Sequence, residues 1–66
     1  MMVRINGDPR EVPEGLTVST LLDFLEMRND RVAIEHNLDI LPRAAWNDTQ
    51  VRPNDSFEIV QFVGGG

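Results

Sequence analysis

The chain has no cysteine and no lysine, and only one histidine and one tryptophan among its 66 residues. Without cysteine it has no disulfide and no thiolate metal site, and one histidine does not make a usual zinc site. No apolar run approaches the roughly 18 residues that span a bilayer. The opening Met1-Met2-Val3-Arg4 lacks the apolar core and cleavage site of a signal peptide, so the expected location is cytoplasmic, with no membrane contact. Positive charge is scarce as well: six arginines stand against eleven carboxylates, for a net charge of −5. That balance disfavours nucleic acid, whose phosphates are bound chiefly by Lys and Arg. It suits basic protein surfaces, where charge steers encounter more than it adds affinity.

What is present is an ordinary globular composition, 41% hydrophobic and 26% charged, which argues against disorder. A chain this short buries only about 60% of its unfolded surface. With no covalent or metal staple, apolar packing has to hold it together. Met2–Ile5 alternates and reads as a strand with Val3 and Ile5 on one face. Asn6-Gly7 is a strong hairpin signal, because both residues tolerate positive φ. Residues 9–12 read as the return strand, and Pro9 near its start fits an edge position. Residues 13–15 carry turn chemistry.

Thr17 is placed to cap a helix. Val18, Leu21, Leu22 and Leu25 fall at i, i+3, i+4 and i+7, which makes one apolar stripe. Ser19, Thr20, Asp23 and Glu26 take the wet side, and Asn29-Asp30 is expected to stop the helix. Residues 31–35 read as a third strand with Val32 and Ile34 toward the helix. Residues 36–39 follow as a loop, then a brief pairing at Ile40-Leu41, one helical turn over 43–46, a tight turn at 53–55 and a last strand over 56–62. One helix across a mixed sheet of four to five strands is a two-layer α+β domain.

The last strand runs straight into Val63-Gly64-Gly65-Gly66. Residues 1–62 are therefore expected to form the folded domain and residues 63–66 a flexible tail, since glycine loses the most entropy on ordering. Such a tail can thread a channel too narrow for any Cβ and present its carboxylate to backbone N–H groups of another protein. Terminal glycines by themselves are weak evidence, because frayed ends also look like this.

The combination is more specific. Ile5-Asn6-Gly7, Gly15-Leu16-Thr17-Val18 with Leu21-Leu22, Val32-Ala33 with Asn37, Leu41-Pro42-Arg43-Ala44-Ala45-Trp46, and Asp55 through Gly66 together cover nearly the whole chain. In these stretches it resembles the prokaryotic ubiquitin-like sulfur carriers, and most of all the ThiS-type carriers of thiamine biosynthesis. The Pro42-Arg43 and Trp46 element discriminates best. Leu38 departs from the family, which often has glycine there, and so does Asn54, where Gly-Asp is usual.

The resemblance implies a ubiquitin-like β-grasp fold and a carrier that is not itself an enzyme. The carrier binds no cofactor. A ThiF-like adenylyltransferase uses ATP and Mg²⁺ to make an acyl-adenylate at Gly66, a persulfide sulfur donor displaces AMP, and a ThiG-like thiazole synthase consumes the resulting thiocarboxylate. Gly64 and Gly65 form the tail that carries this group. Three other readings stay open: the small subunit of molybdopterin synthase, a protein-modifying ubiquitin-like tag, and a small binding domain whose glycines are incidental.

Side-chain alternation in the last strand puts Phe57 and Ile59 on one face and Glu58, Val60 and Phe62 on the other. Since one helix covers one face, Phe57 and Ile59 are assigned to the core, and Val60, Phe62 and Val63 to partner binding. His36 is read as a solvated strand-end residue, Trp46 as closing one end of the core, and Phe24 as a core satellite. The lack of lysine leaves the α-amino group as the only amine on the chain that an acyl-adenylate could attack.

Overall fold

The structure is a computed structural model, and it describes residues 1–62. The flexible tail, the carboxyl of Gly66 and the partner role of Val63 therefore lie outside the described residues. Chain order is β1 (Met2–Ile5), β2 (Asp8–Glu11), α1 (Val18–Phe24), a 3-10 turn (Asn29–Arg31), β3 (Val32–His36), β4 (Asp39–Ile40), a second 3-10 turn (Arg43–Ala45) and β5 (Ser56–Gln61). The sheet order is β2-β1-β5-β3-β4. The first and last strands meet in parallel at the centre, and the other pairings are antiparallel. As expected, β2 with its Pro9 is an edge strand.

Asn6 and Gly7 both have positive φ, which turns β1 back into β2. Asn6 also has a second task. Its Oδ1 accepts from the Ile59 N–H at 2.7 Å and its Nδ2 donates to the Ile59 carbonyl at 3.2 Å. The side chain thus extends the central β1–β5 ladder by one rung where the backbone of β1 has already turned away.

The helix starts as its sequence suggests. Thr17 accepts from the Thr20 N–H, while the Thr20 hydroxyl accepts from the Thr17 N–H, so two otherwise orphaned donors are satisfied. Val18, Leu21 and Leu22 are fully buried against the sheet, whose inner face contributes Val3, Val32, Ile34, Phe57 and Ile59. The end of the helix differs from expectation. It closes after Phe24, not at Asn29-Asp30: Met27 N–H donates to the Leu22 carbonyl and Glu26 N–H to that of Asp23. This is a Schellman closure with Glu26 in the left-handed region at φ 59°. Glutamate gives no sequence signal for that conformation, and the core packing of Met27 supplies the reason for it.

Trp46 is buried and closes one end of the core, with its indole N–H donating to the Leu41 carbonyl at 3.0 Å. The Arg43 guanidinium lies 5.0 Å from the ring centroid, which places a cation over the one indole. Phe24 is not a core satellite. It is 41% exposed, because helical spacing turns it off the Val18, Leu21, Leu22 and Leu25 stripe.

Candidate partner-docking site

Strand alternation gives β5 two unlike faces. Phe57 and Ile59 point into the core, whereas Glu58 and Val60 point outward, and Phe62 follows on the exposed side. Val60 and Phe62 are 58% and 57% exposed, so both sit where the sequence placed them. The register then adds residues that sequence reasoning missed. Ala33 lies opposite Val60, Glu35 opposite Glu58, and Ile40 opposite Glu35. Ala33, Glu35, Ile40, Glu58 and Val60 line a shallow depression of about 200 Å³ on the outer face of the sheet. Ile40 is 82% exposed. Alternation within a two-residue strand is unreadable, so only the pairing reveals that Ile40 joins this face.

The turn beside the depression is held by a polar cluster. Asn37 and Leu38 both have positive φ, at 51° and 76°, which makes a two-residue hairpin turn of the kind that normally takes Asn-Gly. Leucine fills the second place and is almost wholly exposed. Asn37 is tied to the start of β5: its N–H donates to the Ser56 carbonyl, its Oδ1 accepts from the Ser56 N–H, and its Nδ2 donates to Asp55.

Asp55 is the one buried charged residue among the described residues. Burial alone would raise its carboxyl, but hydrogen bonds from the Arg52 N–H, Asn37 and His36 outweigh that and hold it below the usual range. Here the reading of His36 as solvated is corrected. Its Nε2 lies 3.0 Å from Asp55 Oδ2, and its ring stacks on Phe57 at 4.8 Å between centroids. A carboxylate can only accept, so that nitrogen carries the proton. The partner of His36 is 19 residues away in sequence, and no local pattern pointed to it.

Among the described residues no group of three or more His, Asp or Glu side chains is arranged to hold a metal ion. None of their helices is long and apolar enough to cross a membrane.

The geometry is thus a small sheet with an apolar, acid-flanked outer face on the strand that leads to the terminal glycines. A crystal structure of the thiamine biosynthesis protein (ThiS) from Geobacter metallireducens superposes with a TM-score of 0.86 at 36% identity, covering all of both chains. The ubiquitin-like β-grasp fold is therefore that of a ThiS structure. The sulfur carrier protein ThiS of Bacillus subtilis is 32% identical over 98% of this chain and 100% of its own length. A thiazole synthase of Paramagnetospirillum magneticum is 39% identical over the whole chain, which spans 20% of that larger protein. A sequence model of the ThiS family matches residues 3–66, and the chain belongs to that family.

Proposed function

We propose that the protein is a sulfur carrier of thiamine biosynthesis, in which residues 1–62 are the docking body and residues 63–66 the arm that presents the carboxyl group of Gly66. The observation that carries this reading is the family match running through the glycines, joined to a β5 that exposes Val60 and Phe62 immediately before them. The relatives named sulfur carrier protein ThiS, with the solved thiamine biosynthesis protein (ThiS), favour this branch over molybdopterin synthase.

A carboxylate is a poor electrophile, so sulfur cannot simply replace its oxygen. In the proposed sequence an adenylyltransferase first joins the Gly66 carboxylate to the α-phosphorus of ATP with the help of Mg²⁺, and pyrophosphate leaves. A persulfide sulfur then attacks the acyl carbon and AMP leaves. A thiol then attacks the donor-side sulfur of the resulting acyl disulfide, forming a new disulfide with the donor as the thiocarboxylate leaves. The chain supplies an address, a narrow arm and one reactive end, while catalysis belongs to its partners. With no cysteine and no lysine, its side chains offer neither a thiol nor an amine to intercept the activated acyl group.

The second partner is a thiazole synthase that takes up the sulfur. Support comes from a thiazole synthase in which one fifth of the length is similar to this chain, as expected when carrier and acceptor work together. Incubation with ATP, the adenylyltransferase and a sulfur donor, followed by intact-mass and fragment analysis, tests the reading. One oxygen-to-sulfur exchange confined to Gly66 is expected, and Gly65→Val should abolish it with the fold intact. Modification at another residue, or full loading of Gly65→Val, would overturn the proposal.

A further inference from the structure

The outer face carries three features that each weaken the isolated fold. Glu35 and Glu58 are directly opposed across β3 and β5. Their Cβ atoms therefore lie about 5 Å apart, and like charges so placed are destabilising. Neither belongs to an ion pair among the described residues, where the pairs are Met1–Glu11, Arg28–Asp30 and His36–Asp55. Ile40 and Val60 flank these carboxylates and are largely exposed. Leu38, at the edge of the same strands, holds a left-handed conformation that glycine would adopt without strain. The two opposed carboxylates have no ion-pair partner among the described residues, Ile40 and Val60 share their depression largely exposed, and the strained Leu38 stands in the adjoining turn.

We infer that this face is a recognition seat for the adenylating partner: a Lys or Arg side chain of that enzyme enters between Glu35 and Glu58, and apolar side chains beside it cover Leu38, Ile40 and Val60. The inference rests on the carrier reading above and adds the chemistry by which the carrier is recognised. Three observations select this occupant. First, a single cation set between the carboxylates turns their repulsion into two attractions, so the face is complementary to basic surface and to little else. Second, residues 63–66 continue from β5, and four residues reach at most about 14 Å. An active site that takes the Gly66 carboxyl group must therefore lie against the body next to this face. Third, a second copy of the chain is a poor occupant. Face-to-face packing would bring four carboxylates together on molecules already carrying −5 each.

The test is a titration of purified adenylyltransferase with the full-length carrier and with Glu35→Gln/Glu58→Gln, together with thermal melts and the loading assay on Gly66. The neutral double variant should melt at a higher temperature than wild type, because the repulsion is gone. It should nevertheless bind at least about tenfold more weakly at low salt, with a flatter salt dependence. Leu38→Gly should behave alike, with a higher melting temperature and weaker binding. Normal Gly66 loading of wild type together with unchanged affinity of the double variant would overturn the seat while leaving the carrier reading intact. Failure of wild type to bind or load would remove both. Two further outcomes overturn the assigned occupant. One is a loss of binding confined to thiazole synthase. The other is sedimentation of the free carrier as a dimer that the double variant abolishes.

Discussion

The two faces of β5 are built from the same strand and obey opposite rules. On the inner face Phe57 and Ile59 meet α1 and the neighbouring strands with almost no exposed surface, and the buried side-chain nitrogen and oxygen atoms of the described residues all find partners. On the outer face Glu58 opposes Glu35, and Val60 faces Ala33 in water. Inner positions are chosen for stability, because a thin core with no staple tolerates little loss. Outer positions contradict stability at several neighbouring sites at once. A fold with a small margin that keeps such residues together has a use for them outside its own packing. The contrast separates what holds the domain from what the domain presents.

Three measurements could break or sharpen this contrast. The largest effect is expected on the inner face. Phe57→Ala removes a fully buried aromatic and should destabilise by about 3–5 kcal/mol, enough to threaten the fold of a 66-residue chain. Denaturant unfolding followed by the Trp46 fluorescence reads this directly, and a loss below about 1 kcal/mol would mean that the inner face is not the stabilising one.

Next comes the polar cluster that joins the faces. Asp55→Ala should cost about 3 kcal/mol by orphaning the Arg52 N–H, the Asn37 amide and the His36 ring nitrogen. Because the folded state lowers the Asp55 carboxyl below its ordinary value of 3.8, its contribution is full above that value. It is lost as pH falls through the lower folded value. Wild type should therefore lose stability relative to Asp55→Ala only below pH 3.8, and parallel acid melts of the two proteins would refute this assignment.

The smallest effect on the fold is expected outside. Val60→Ala with Phe62→Ala should change stability by no more than about 0.5 kcal/mol per site, yet weaken adenylyltransferase binding at least about tenfold. Strong destabilisation with unchanged affinity would reverse the two faces.

Much of this was legible along the chain. The apolar stripe of α1, its Thr17 cap, the Asn6-Gly7 turn, the last turn at Asn54 and the division of β5 into Phe57 with Ile59 against Val60 all follow from local periodicity and backbone preference, which act over a few residues. The misreadings have a common cause. The helix stop at Glu26 is a non-glycine left-handed residue stabilised by hydrogen bonds and by Met27 on the core. His36 was misjudged because Asp55 is distant in sequence.

By itself the sequence determined the main elements and the inner face of each longer strand, because side-chain alternation and helical spacing are properties of neighbouring residues. Only the tertiary structure decided which strands lie side by side. That choice sets Glu35 against Glu58, brings Ile40 beside them, extends the central ladder through Asn6 and gives His36 its carboxylate. Each of these depends on register between segments separated by loops, and register is settled by burying all the apolar faces against one helix at once, a condition that no single segment contains.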